Sequence, residues 1–491
     1  MLDSFCDRLA RLRLPSRRVF AALVLAFLGF GVLLGNVAGS RVDYSLAAAH
    51  PRLKLILPAA TAAASTSTTG GGESTTEEPP ETVEEPTPEA PAADEAASTP
   101  AAAPKSAGAA PNEGGSSKEK SSEPASTPGA SAAKLPPIQH VFVIMLSDEP
   151  YASVFGPLST APYLAHTLEK RGELLARWYG VAHEQLANGI ALLSGQGPTP
   201  ATAANCPTYS DVAPAAAGSE GQTLGEGCVY PATTPTLPGQ LEVKHHSWRA
   251  YVQGIGEPGG AVAPCAHPLA GAADPTSVSP STPAGTPAPA GPYATFRNPF
   301  VYFHSLTDSP ECAKDDVGLS ALGDDLKSAA RTPSLSYVVP DRCHDGSPGP
   351  CPGGGAGGLP AADGWLKEVV PKILAAPAYK HGGLLVITVD EAPSGGEFAD
   401  SSSCCGQPAQ FPNMPAPSGS AAALGPAGGG QVGALLLSPY VKGGVISQAQ
   451  YNHFSLLRTI EDLFELKHIG YAGAAKTQSL EPSLFLAKPA G

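Results

Sequence analysis

Positive charge is scarce in this chain. Its 491 residues carry 30 Lys and Arg against 44 Asp and Glu, a net charge of −14, and nothing is basic enough to track a nucleic-acid backbone, so nucleic acid is excluded as a partner. Also missing, among nine cysteines, is any Cys-x-x-Cys pair or Cys/His spacing of a structural zinc site. Eight of the nine, Cys206, Cys228, Cys265, Cys312, Cys343, Cys351, Cys404 and Cys405, follow one long apolar run, and only Cys6 precedes it. An even number on one side points to disulfides in an oxidising compartment. Cys343 and Cys351 are close enough to close a short loop, whereas the adjacent Cys404 and Cys405 are expected to bond to different partners. The acidic excess lies largely after residue 70, in a segment that reads as solvated linker rather than as a charged binding face.

What is present divides the chain into four parts. Residues 1–18 hold Arg8, Arg11, Arg13, Arg17 and Arg18 against Asp3 and Asp7. Residues 19–38 form an uncharged, largely apolar run about 20 residues long, enough for one transmembrane helix, with the arginines holding the N-terminus in the cytoplasm. A retained anchor is favoured over a cleaved signal peptide, which would need a small-residue cleavage site such as Asn36-Val37-Ala38. Residues 59–134 reduce to Ala, Ser, Thr, Pro, Glu and Gly, a composition that cannot bury enough apolar surface to order itself and is expected to be a disordered linker. Residues 135–491 are the folded domain, expected in an extracytoplasmic position at the cell membrane.

Within that domain the most informative stretch is Gly382 to Glu391. Leu384 to Val389 is apolar or β-branched with no polar alternation beyond Thr388, the pattern of a strand buried on both faces, and Asp390 and Glu391 follow at its carboxyl end. Open α/β sheets do their chemistry just outside the carboxyl ends of their strands. His140 to Leu146 repeats the pattern and is followed by Ser147-Asp148-Glu149. Leu335 to Val339 repeats it again, followed by Asp341, His344 and Asp345. Helical periodicity is read in Pro162 to Tyr179 (Leu164, Leu168, Leu175, Trp178), in Ala361 to Ala376 with Pro371 as a kink, and after Asn452 as a cap. An apolar helical turn follows His183-Glu184-Gln185, and Val432 to Leu437 is a further strand. Residues 196–295, rich in Pro and Gly, read as insertions over the core. The alternation predicts an α/β domain with a doubly wound, mostly parallel sheet. It brings Asp148, the group Asp341/His344/Asp345, the pair Asp390/Glu391, and His453 towards one edge, where carboxylates and imidazoles suit divalent metal ions clamping a phosphoryl group.

Residues 136–488 resemble the bacterial phosphoesterase family that includes phospholipase C and secreted acid phosphatases, in the alkaline-phosphatase-like superfamily. The carriers are His140–Leu146, Ala161–Leu164, Gly383–Glu391, Ser438–Lys442 and, most specific, Tyr451–Phe464. The resemblance implies a hydrolase of phosphate esters, phosphomonoesters or phospholipids, with Asp148, His344, Asp345, Asp390, Glu391 and His453 at metal positions. Two departures stand against it. Ser147-Asp148 replaces a Glu-Asn pair, and Gln185 occupies the place of the family's nucleophilic hydroxyl, which leaves Glu184, Ser194 or a metal-bound water to attack. The alternative is a non-catalytic surface protein that binds a phosphorylated or anionic ligand.

Overall fold

The computed structural model describes residues 134–256, 262–277, 291–351, 354–416 and 428–490. The expected cytoplasmic segment, transmembrane run and all but the last residue of the linker lie outside them. Among the described residues no helix is long and apolar enough to cross a membrane.

The described residues form ten strands: β1 His140–Leu146, β2 Glu173–Tyr179, β3 Ala213–Ala217, β4 Thr223–Glu226, β5 Trp248–Val252, β6 Asp316–Gly318, β7 Leu335–Val339, β8 Gly383–Val389, β9 Ala434–Leu437 and β10 Val445–Asn452. Eight of them form one sheet in the order β10-β2-β9-β8-β1-β7-β5-β6, and β3 and β4 make a separate two-stranded ribbon. The sheet is parallel throughout except for β9, which runs against both β2 and β8. β1 and β8 pair from His140 opposite Gly383 to Leu146 opposite Val389. Apart from His140 every residue of the two strands is buried, which explains their unbroken apolar runs.

Three helices matter for the site: α1 Gln185–Ser194, α2 Leu359–Ala375 and α3 His453–Leu463. α1 packs against α3. α2 continues through Pro371 as one helix. α3 starts where expected, because the Asn452 side chain accepts from the Ser455 amide at 3.1 Å and the Ser455 hydroxyl accepts from the Asn452 amide at 3.3 Å.

Two expectations are corrected. The helix read over Pro162 to Tyr179 is a short helix, Tyr163–Leu168, followed after Gly172 by strand β2, so Leu175 and Trp178 sit in the sheet. Six of the seven residues of β2 are buried, and with both faces covered it shows no alternation to reveal it. The region read as insertions over the core contributes β5, a strand of the main sheet between β7 and β6.

The cysteines pair as 206–228, 265–312, 343–351 and 404–405. The short 343–351 loop is as expected. The expectation that Cys404 and Cys405 bond to different partners is also corrected: they join each other, since the other six described cysteines are consumed among themselves.

Candidate active site

Because β1, β2, β5, β7, β8 and β10 are parallel, the residues after their last positions emerge on one edge. Backbone bonds lace these ends together. Asp390 N donates to Leu146 O at 2.9 Å, Ser147 N to Asp345 O at 2.8 Å, and Glu149 N to Glu391 O at 3.1 Å. The side chain of Asp390 accepts from Asp148 N at 3.3 Å. β2 approaches the same point so closely that a Cβ on Gly180 would lie 2.5 Å from Asp390 O, which only glycine avoids.

Asp148 and Glu184 both hold positive φ, 54° and 73°, backbone strain of about 1–3 kcal/mol each that the surroundings must offset. For Glu184 the offset is visible. Asn188 accepts from Val181 N at 2.8 Å and donates to Ala182 O at 2.6 Å and Glu184 O at 3.1 Å, while Asn205 donates to Glu184 Oε2 at 2.6 Å. This turn aims Gln185, the first residue of α1, at the strand ends. Its Nε2 donates to Ser147 Oγ and, at 3.3 Å, to Ser347 Oγ. Ser194 stands at the other end of α1, about 13 Å away by helix rise, where its hydroxyl donates to Pro235 O at 2.6 Å. It is removed from the site.

Sequence reasoning missed Arg297 and Ser347. Arg297 forms an ion pair with Asp345 in which the two side chains are 8% and 0% exposed, and its Nη2 donates to Ser347 Oγ at 3.2 Å. Asp345 caps the turn that carries Ser347, its Oδ1 accepting from the Ser347 amide at 2.9 Å. The Asp-Gly-Ser pattern is a turn signal that could have located Ser347; nothing in the local pattern around Arg297 marks it.

The carboxyls are crowded. Burial raises Asp390, against the pull of Arg297, the Ser147 hydroxyl and the Asp148 amide. Glu391 is raised well above the ordinary range by burial first, then by the charges of Asp390, Glu184 and Asp148. Asp148 and Glu184 are raised by burial too, and Glu149 is lifted to about 7 by burial and by Asp148. Asp148, Glu149, Glu184 and Gln185 remain half-exposed at the mouth, whereas Asp390 and Glu391 are buried behind them.

Two histidines border this cluster. His453 is fully buried, its Nδ1 accepting from the Trp178 indole at 3.3 Å and its Nε2 facing Asp390 O at 2.9 Å. An indole N–H can only donate, so Nε2 carries the proton and donates to the carbonyl. Both ring nitrogens are thereby occupied. His344 bonds through Nδ1 to Asp341 at 2.7 Å, which also accepts from the backbone amides of Cys343 and His344.

The Phosphoesterase family model matches residues 158–467, well over half of the chain and nearly all of the sheet. The chain belongs to the Phosphoesterase family. No curated protein matches it. Similar solved structures include Ps i-CgsB at 15% identity, covering 71% of this chain and 76% of that one with a TM-score of 0.39. Another is a protein of the alkaline phosphatase superfamily from Vibrio parahaemolyticus at 10%, covering 68% of each chain with a TM-score of 0.37. A third is the phosphonate monoester hydrolase SpPMH from Silicibacter pomeroyi at 13%, covering 71% and 76% with a TM-score of 0.35. No activity is carried over from likenesses of this size.

Whether this phosphoesterase-family site fits a divalent ion is decided by its side chains. In favour, Glu391 Oε2 and Gln185 Oε1 are buried without hydrogen-bond partners. Against it, no three His, Cys, Asp or Glu side chains among the described residues converge as ligands. His453 has no free nitrogen, Asp345 is spent on Arg297, and the guanidinium of Arg297 would repel a second cation placed beside it. The geometric facts outweigh two lone oxygens, so the residues as placed do not fit the ion that the resemblance implies.

Proposed function

We propose that the domain is an extracytoplasmic phosphate-ester hydrolase of low turnover, tethered to the membrane by the apolar run at residues 19–38. One observation carries the reading. Gln185, at the start of α1, is bonded to the Ser147 and Ser347 hydroxyls at the strand ends, which supports the reading that α1 presents its first residue to the site and that an amide stands there in place of the hydroxyl the resemblance implies. An amide does not form a phosphoenzyme. Hydrolysis then falls to a water, and Glu149, half-exposed with a carboxyl lifted to about 7, is the group that takes up its proton near neutral pH.

A second reading, a non-catalytic protein that binds a phosphorylated or anionic ligand, is favoured by the amide of Gln185, which can donate a hydrogen bond but cannot attack, and places the ligand outside the closed space around that residue. The cavity shared by Gln185, Arg297, Tyr337 and Asp390 is only about 20 Å³. Aryl phosphate hydrolysis by the full chain and by Gln185→Ser separates the two. The hydrolase reading expects slow but measurable wild-type turnover that rises by on the order of tenfold or more when the hydroxyl is restored. No turnover by either protein, with a phosphate ester still bound, supports the binder.

A further inference from the structure

We infer that the guanidinium of Arg297 is the resident cation of this site, supplying from within the chain the positive charge beside Asp345, Asp390 and Glu391 that a divalent ion would otherwise bring. This stands apart from the hydrolase reading and needs no turnover to be true.

Four observations converge on it. The side chain is almost wholly withdrawn from solvent and paired with a carboxylate that is wholly withdrawn, and a charge so placed persists only where opposite charge surrounds it. Burial, with the Arg342 guanidinium nearby, lowers its pKa to about 9, and Asp390, Asp341 and Glu391 are near enough for their charges to oppose that and keep it protonated at neutral pH. The cavity that it shares with Gln185 and Asp390, about 20 Å³, has room for one water and none for an ion with its own hydration waters. The Arg297 Nε, buried and without a partner in the chain, is a donor for that water.

The guanidinium is also held in place. The turn Thr295–Arg297 is pinned on one side by Thr295, whose amide donates to Thr276 Oγ1 at 2.9 Å and whose hydroxyl donates to Asp274 Oδ1 at 3.2 Å. On the other side Asn298 Nδ2 donates to the buried Asp316 at 2.9 Å. Pro299 then seats against Gly189 of α1, where any side chain would collide with it: a Cβ there would lie 2.8 Å from Pro299 Cβ. The backbone is thus fixed on both sides of Arg297, and the guanidinium at the end of the side chain is held by Asp345 and Ser347.

The test uses the full-length protein and two readouts independent of activity: elemental analysis for bound divalent metal, and thermal unfolding in chelator against millimolar manganese, zinc or calcium. Wild type is expected to carry no stoichiometric metal and to unfold at the same temperature in chelator and in metal. Arg297→Lys keeps the charge and should keep this indifference. Arg297→Met, similar in length but neutral, should unfold several degrees lower in chelator and recover part of the difference when a divalent cation is added. About one tightly bound ion per wild-type chain, whose removal lowers the unfolding temperature, overturns the inference. So does an Arg297→Met protein as stable as wild type and equally indifferent to metal. Should Arg297→Met fail to fold, the wild-type metal content and chelator response decide alone. Absence of phosphatase activity sinks the hydrolase reading and leaves this one standing, while a stoichiometric ion does the reverse.

Discussion

Replacing His453 by leucine distinguishes a histidine that holds the structure from one that binds a ligand. The imidazole joins β2 to the end of β8, accepting from Trp178 and donating to Asp390 O. Leucine leaves a buried indole N–H and a buried carbonyl unpartnered, at about 1–3 kcal/mol each, so His453→Leu should lose roughly 4 kcal/mol at pH 7.5. The loss should depend on pH in a definite direction. Burial lowers the His453 pKa to about 4 from the ordinary 6.5. Above pH 6.5 the ring is neutral in both folded and unfolded chains, and its bonds count in full. As pH falls from 6.5 towards 4 the unfolded chain takes up a proton that the folded chain refuses, so wild type is destabilised by up to about 3 kcal/mol, which the leucine variant does not suffer. The difference between the two proteins should therefore shrink to about 1 kcal/mol near pH 4. Denaturant unfolding of both proteins at pH 7.5, 5.5 and 4.5 measures this directly, with the carbon-bound ring protons of His453 as a second probe. A difference independent of pH, or a ring that titrates at its ordinary value, would refute the assignment.

Two further outcomes follow from buried groups and pairings. Glu461 of α3 is buried and pushed up to about 8, while its Oε1 accepts from the Ile469 amide at 3.0 Å. Its folded pKa lies above its unfolded 4.5, so wild-type stability should fall as pH rises from about 4.5 to 8; Glu461→Gln should gain a few kcal/mol at pH 8 and nothing at pH 4, and an equal effect at both would count against it. With four bridges among the nine cysteines, thiol titration of the denatured, unreduced chain should find about one free thiol, Cys6. Four or more would mean that the domain matures in a reducing compartment.

Much of the site was legible because its carriers are short-range signals. β1 and β8 are read as buried strands from six or seven consecutive apolar residues, and the rule that chemistry gathers at strand carboxyl ends then picks out Asp148, Asp390 and Glu391. The Asn452 cap is equally local. Where the signal is ambiguous the reading fails: Leu164, Leu168, Leu175 and Trp178 are spaced as on a helix, yet the last two belong to β2, whose register is set by β9 and β10. β10 was missed for a different reason, since as the edge strand next to β2 it is largely polar and only partly buried.

Local sequence, then, determined the strands with two buried faces, the capped helix and the carboxyls at the strand ends, because periodicity, caps and turn residues act over a few positions. Only the tertiary structure decided what those groups do. Trp178 comes from another strand to occupy His453. Arg297, in a segment with no periodic pattern, meets Asp345 across the edge of the sheet. The physical reason is that charge compensation and desolvation depend on distance in space, and a buried carboxylate accepts whichever cation the fold delivers.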